Sequence, residues 1–215
     1  MFPFPFSFFG AAAEPPELEL IDNNFAMEFN GSDEYFSATT SSDLEITGNI
    51  TISAWVYITT GSAYQGIITK RDSGGTNYQL YTDNSTIPRL RFFDGSTATS
   101  STGTVSLNAW HHVAITVDSG VTNGSVFYID GAPSGTATFT ITSNDADLLL
   151  GAIYQGGVGS YFSGDIDEVA IWSRALEAAD ITTIYNATND NPGKCANLWS
   201  GGLGTGLVYW NRMGD

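Results

Sequence analysis

Positive charge is scarce in this 215-residue chain: 7 Lys and Arg stand against 23 Asp and Glu, for a formal net charge of −16. Nucleic acids are bound largely by phosphate neutralisation through clustered Lys and Arg, so the charge balance excludes a nucleic-acid partner and disfavours docking on an anionic membrane. Cysteine is nearly absent. Cys195 stands alone, which rules out an internal disulfide and gives no support to a zinc site built on spaced Cys and His. No apolar run reaches the roughly 18 residues of a membrane-spanning helix, and no heptad or longer internal repeat appears. Charged residues make up only 14% of the chain, so the charged helix formers are few as well.

Small and turn-forming residues take their place. Ser, Thr and Gly number 21, 24 and 24, and they separate short segments rich in β-branched and aromatic residues. That composition predicts strands joined by polar turns in one all-β domain. Residues 1–24 differ from the rest of the chain. Phe2, Phe4, Phe6, Phe8 and Phe9 alternate with or come after Pro3 and Pro5, and no Lys or Arg precedes this apolar run. The prolines interrupt a helix, so the segment is expected to be an extended anchoring arm and not a cleaved secretory leader. Rings of this kind need shelter, either on their own domain or against a partner subunit.

From Phe25 onward the pattern alternates. Ile50, Ile52, Ala54, Val56 and Ile58 share one face of a strand, with Thr51, Ser53, Trp55 and Tyr57 on the other. Further strands are expected at 66–69, 78–82, 90–93, 111–117, 125–129, 136–142, 148–153, 166–172 and 207–210. The turn pairs Asp94-Gly95, Asn123-Gly124 and Asp130-Gly131 fall between them. One short peripheral helix is expected over Ala178 to Tyr185, with Ile181 and Ile184 as its apolar stripe. The chain thus divides into an arm (1–24), a sandwich (25–190) and a Gly-rich tail with a terminal strand (191–215).

Four segments in order carry a resemblance: Phe29-Asn30-Gly31-Ser32-Asp33-Glu34-Tyr35-Phe36, Ile50-Thr51-Ile52-Ser53-Ala54-Trp55-Val56, Trp110-His111-His112-Val113-Ala114-Ile115-Thr116 with Tyr128-Ile129-Asp130-Gly131, and Gly164-Asp165-Ile166-Asp167-Glu168-Val169-Ala170-Ile171-Trp172. Together they resemble the laminin G-like, concanavalin A-like lectin/glucanase jelly-roll family over about Phe25 to Ala187. The resemblance implies two curved antiparallel sheets packed face to face. It also implies a structural calcium held by Asp167 with oxygens near Asp22 and Gly48, or with Asp33, and glycan binding as the usual mode of recognition.

Alternation raises one difficulty. Asp165 and Asp167 share a parity with Val169 and Ile171, which would place carboxylates on the core side unless a bulge lies near Asp167 or the carboxylates sit at the rim. The same two carboxylates are the only close same-face pair available to a glycosidase, a role the resemblance does not favour. His111 and His112 point to opposite faces and cannot chelate one ion together. His111 shares its face with Val113, Ile115 and Val117 and reads as a core histidine. For sugar stacking the candidate rings are Tyr64, Tyr78, Tyr81, Tyr154 and Tyr161, with Phe92 and Phe93 beside them.

These readings converge on a non-enzymatic structural or adhesion module. Residues 1–24 anchor it to other subunits of a surface assembly, and the sandwich is presented outward for glycan adhesion. The arm, the acidic Ser/Thr/Gly-rich body and a short C-terminal similarity to connectors in viral surface proteins suggest a virion capsid-decoration or fibre subunit. The alternative is a free extracellular carbohydrate-binding protein.

Overall fold

The computed structural model describes residues 16–214. Alternation of side chains builds it. In the strand Ile50–Ile58 the even residues enter the core, and Ser53 and Trp55 turn to the opposite face. This strand is central in a seven-stranded antiparallel sheet whose order is Ala132–Ala137, Ser125–Ile129, Trp110–Val117, Ile50–Ile58 and Ser163–Trp172. Met27–Asn30 pairs with the beginning of Ser163–Trp172, and Leu207–Asn211 pairs with its end. A six-stranded antiparallel sheet faces it, ordered Phe36–Ala38, Leu148–Leu150, Gln65–Asp72, Gly75–Thr82, Leu90–Phe93 and Ala98–Ser100.

Between the sheets, Ile52, Val56, Val113, Ile115, Phe127 and Ile171 pack against Ile68, Tyr78, Leu80, Phe92, Leu148 and Leu150. A second apolar cluster lies outside the seven-stranded sheet, where Ala114, Tyr128, Ala170 and Trp172 are covered by Ile181, Ile184 and Ala187 of the helix and by Leu198 and Leu203. The helix runs Ala178–Asn189, four residues beyond its expected end. A reciprocal Glu177–Asp180 capping box fixes its start.

The bulge near Asp167 is present. Glu168 has φ +49°, and the pairing of Ser163–Trp172 with Ile50–Ile58 shifts register between Asp167 and Ala170. The shift inverts the parity: Ile166 faces the core before the bulge, and Val169 and Ile171 do so after it. Two expected strands differ. The run 136–142 is not one strand: pairing ends at Ala137, and Phe139 and Ile141 fill the core from irregular chain. Side chains take over their ladder bonds there, with Thr140 N–H donating to Asp94 Oδ2 (2.9 Å) and Ile141 N–H to Ser119 Oγ (2.9 Å). The run 148–153 is interrupted at Gly151, whose φ of +80° and contact with the Phe29 ring leave no room for a side chain.

The described part of the arm and the tail belong to the sandwich, so boundaries at 24 and 190 do not separate them from it. Leu20–Asp22 pairs with Lys194–Ala196, and Leu18 packs with the second apolar cluster.

Candidate functional site

Where the helix ends, the outer face of the seven-stranded sheet is uncovered. The register sets Trp55 opposite His112 and Tyr57 opposite Trp110, so two rows of rings stand on that face. Trp55 stacks on Tyr185 of the helix (5.8 Å between ring centres, 21°) and is almost fully buried. Trp110 leans on Tyr57 (5.8 Å) and remains 42% exposed. Across from it the chain entering Met27–Asn30 presents Phe25, 63% exposed. Between them lies a cleft of about 390 Å³, lined also by Asn23, Asn24, Asp167 and Asn189.

Asp167 forms the polar floor of this cleft and is itself buried. Its Oδ2 accepts from Asn23 Nδ2 (2.9 Å) and its Oδ1 from Glu168 N–H (2.7 Å). Asn23 Oδ1 is buried without a hydrogen-bond partner. The cleft therefore offers exposed ring faces together with amide and carboxylate groups, the combination that grips the C–H faces and hydroxyls of a polyol. Asp165, one step along the same face, has its carboxyl pushed upward by partial burial and then by Glu28, its cross-strand neighbour.

The bulge residue Glu168 turns away from the cleft. It accepts from Trp210 Nε1 (2.7 Å), Arg212 Nε (3.2 Å) and Cys195 Sγ (3.3 Å), which ties the terminal strand to the sheet. Burial raises its carboxyl, against the pull of those donors, and burial likewise raises the Cys195 thiol, which is thereby kept protonated.

The structure scatters the expected site residues. Tyr78 is fully buried in the core and cannot meet a ligand, because it shares the parity of Leu80 on the inner face. Tyr64 and Tyr81 come together on the outer face of the six-stranded sheet, 6.0 Å apart. Tyr154 and Tyr161 sit in and after the small hairpin Ile153–Tyr154/Val158–Gly159, where Tyr161 contacts Tyr35 at 6.3 Å. Phe92 is a core residue, whereas Phe93 is partly exposed. Phe2, Phe4, Phe6, Phe8 and Phe9 lie outside the described residues.

The four expected calcium donors do not converge. Gly48 precedes Ile50, which is itself five strand positions from Trp55, the partner of Asp167, and therefore roughly 17 Å away. Asp33 lies beyond Asn30, at the Ser163 end of the strand, and accepts from Asn30 Nδ2 (2.8 Å). Asp22 is adjacent to Asn23, but its carboxylate pairs with Lys194 Nζ and is held low by that bond. Among the described residues no group of three or more His, Cys, Asp or Glu is placed to hold a metal ion. The oxygens that could serve a cation at the cleft are those of Asp167 and the unpartnered Oδ1 of Asn23.

The two histidines exchange the burial expected of them. His111 has core parity but lies at the strand's open end, half-buried, with Nε2 2.6 Å from Ser106 Oγ and Nδ1 2.8 Å from Asp130 Oδ2. This line has the order of a nucleophile–base–acid relay, yet none of its members lines the cleft. Asp130 Oδ1 accepts from His112 N–H (3.0 Å), so the relay pins the Asp130-Gly131 turn to the strand. His112 is buried beside the Trp55–Tyr185 pair with neither ring nitrogen hydrogen-bonded.

The sandwich has recognised relatives. The model of a laminin G-type family, described as the concanavalin A-like lectin/glucanases superfamily, matches residues 30–182. The chain belongs to the concanavalin A-like lectin/glucanases superfamily. No curated protein sequence matches it. Among solved structures, a Bacteroides ovatus protein assigned by name to carbohydrate binding superposes with TM-score 0.68 at 18% identity, over 91% of this chain and 53% of that one. The present chain thus spans about half of that protein. The CBM40 of the Ruminococcus gnavus IT-sialidase, bound to α2,3-sialyllactose, gives 0.61 at 16% identity, over 78% and 98%. Domain 4 of the Geobacillus stearothermophilus arabinanase AbnA, in complex with arabinotriose, gives 0.58 at 20% identity, over 77% and 80%. At these identities the superfamily fold is what is shared.

Phe25 and Trp110 are the exposed cleft-lining rings that the sequence pattern does not single out. Each is the terminal ring of an alternating segment, and whether such a ring is covered depends on where the helix stops.

Proposed function

We propose that the protein is a non-catalytic glycan-binding adhesion module and that the Phe25–Trp110 cleft is its sugar site. The observation that carries this reading is the pair of exposed rings that line one cleft together with amide groups and a carboxylate. Its superfamily, and neighbours named for carbohydrate binding or solved with oligosaccharides, support it. A hydrolytic role is not favoured, because Asp167 has both oxygens engaged by N–H donors and Asp165 does not line the cleft. Glycan-array screening followed by titration of the best ligand tests the proposal. Trp110→Ala should weaken binding about thirtyfold, on the scale of about 2 kcal/mol for a buried aromatic anchor. Full affinity in both Trp110→Ala and Phe25→Ala would refute the assignment.

A second reading is favoured by the chain around residue 20. Trp199 is 65% and Leu20 40% exposed, next to the strand pair through which residues 16–24 join the sandwich. This apolar surface suits a protein partner, and we propose that residues 1–24 and this surface anchor the module in a surface assembly such as a virion. Deleting residues 1–15 should abolish incorporation while leaving the fold intact; unchanged incorporation would favour a free extracellular lectin.

A further inference from the structure

The outer face of the six-stranded sheet collects charge of the scarce sign. In Leu90–Phe93 the residues Leu90 and Phe92 point into the core, so Arg91 and Phe93 point out. Arg91 lies opposite Tyr81 in register, with its guanidinium carbon 6.0 Å from the Tyr81 ring centre and 5.9 Å from that of Tyr64. Arg71 sits over Phe93 at 5.3 Å. Arg89, two residues before Arg91, is exposed. Three of the chain's seven cationic residues therefore gather here.

None of the three is in an ion pair among the described residues, although the chain carries 23 acids. Arg91 Nε is buried and has no acceptor. The nearest acids in sequence are committed elsewhere. Asp72 Oδ1 accepts from Gly74 and Gly75 N–H, Asp83 Oδ1 from Ser85 and Arg89 N–H, and Asp94 from Ser96, Thr97 and Thr140 N–H. The Arg91 side chain hydrogen-bonds the Tyr81 hydroxyl, yet its buried Nε has no acceptor, so the guanidinium is not fully satisfied without an anion.

We propose that this face binds a sugar carrying a single carboxylate, with the carboxylate on Arg91 and Arg71 or Arg89 and the sugar ring against Tyr64. The guanidinium fork matches a carboxylate, and an aromatic face takes the C–H side of a pyranose. Net charge selects for a monoanion over a polyanion. Screening at physiological salt acts over about 8 Å, so a single charge in contact with the arginines senses them alone. A long sulfated chain would run off the patch onto the rest of a surface whose 23 acids face only four further cationic residues. The inference rests on the glycan-binding reading but uses the opposite side of the sandwich from the cleft, so the two fail separately.

The test titrates the full chain with sialic acid-, glucuronate- and galacturonate-terminated oligosaccharides, each beside its methyl ester, which removes the charge and little else. At least one free acid should bind tenfold or more tightly than its ester, and the preference should shrink as ionic strength rises. Arg91→Gln should weaken binding of that acid about tenfold to a hundredfold, the range of a charge-assisted hydrogen bond. Arg71→Gln, at a less buried position, repeats the test should Arg91→Gln fail to fold, and Trp110→Ala should leave the acid preference unchanged. Equal affinity for acid and ester, binding of neither, or a preference that survives both arginine changes would overturn the proposal. So would tighter binding of a heparin oligosaccharide, or a dimer dissolved by Arg91→Gln, which would reassign the face to a polyanion or to self-association.

Discussion

His112→Leu should remove a large part of the acid sensitivity of this fold. The imidazole is 1% exposed, packed beside the stacked Trp55–Tyr185 pair, and next to a cavity of about 10 Å³, at the lower limit for one water. Burial drives its pKa down from 6.5 to about 4, against the opposing pull of Asp130. The unfolded chain therefore binds a proton between these values that the folded chain refuses. Stability is complete above pH 6.5, falls as the pH drops from about 6.5 to about 4, and levels off below. From the two pKa values the loss is about 1 kcal/mol at pH 5.5 and about 2 to 3 kcal/mol at pH 4.5.

The assay is urea unfolding at pH 7.5, 5.5 and 4.5 for both proteins. At pH 7.5 the variant should lie within about 1 kcal/mol of wild type, since an apolar side chain of similar size replaces two ring nitrogens that make no bond. As pH falls, the variant should gain on wild type by the amounts above. Carboxyls titrate too, but Glu168 and Asp165, both raised, act with opposite sign and are common to both proteins. A difference between the two proteins that stays constant from pH 7.5 to 4.5 would refute the reasoning, because it would mean that the folded imidazole accepts a proton as readily as the unfolded one.

Two further outcomes concern buried carboxylates. Asp94→Ala should cost about 3 kcal/mol or more in urea unfolding, because three backbone amides lose a charged acceptor. The Asp94 carboxyl is held low by those bonds, which outweigh its desolvation, so its contribution is lost as pH falls through the folded pKa; a loss under 1 kcal/mol would refute the role. Because the donors expected around Asp167 do not converge, added calcium should leave the melting temperature of chelator-treated protein unchanged; a rise that Asp167→Asn abolishes would restore the ion to the molecule.

Much of the sandwich was legible because alternation is a local signal. Ile50 to Ile58 announced a central strand, and the parity conflict at Asp165 and Asp167 announced the bulge. The same signal could have excluded Tyr78, which shares the face of Leu80, and could have promoted Arg91 and Phe93, which oppose Leu90 and Phe92. What alternation cannot report is a third layer. His112 shares its face with Ala114, which reads as solvent-facing in a two-layer sandwich, and is buried because the helix and the chain at 195–203 cover that face. Asp22 likewise appeared free until its strand met Lys194, 172 residues away.

The bulge also accounts for where a binding cleft can sit. After it, Ala170 and Trp172 turn outward and require the helix as cover. Before it, Asp165 and Asp167 turn outward on the same strand, and covering them with apolar residues would desolvate two carboxylates. One shift of register thus divides the outer face of the seven-stranded sheet into an apolar half that must be roofed and a polar half that must stay open. Phe25 and Trp110 stand at the edge of the open half, and their rings are exposed because the helix stops at Asn189, on the margin of the cleft. Deleting Glu168 would remove the extra residue yet keep this division, because Val169 would then follow Asp167 directly and point to the opposite face, while the ties from Glu168 to Trp210, Arg212 and Cys195 would be lost.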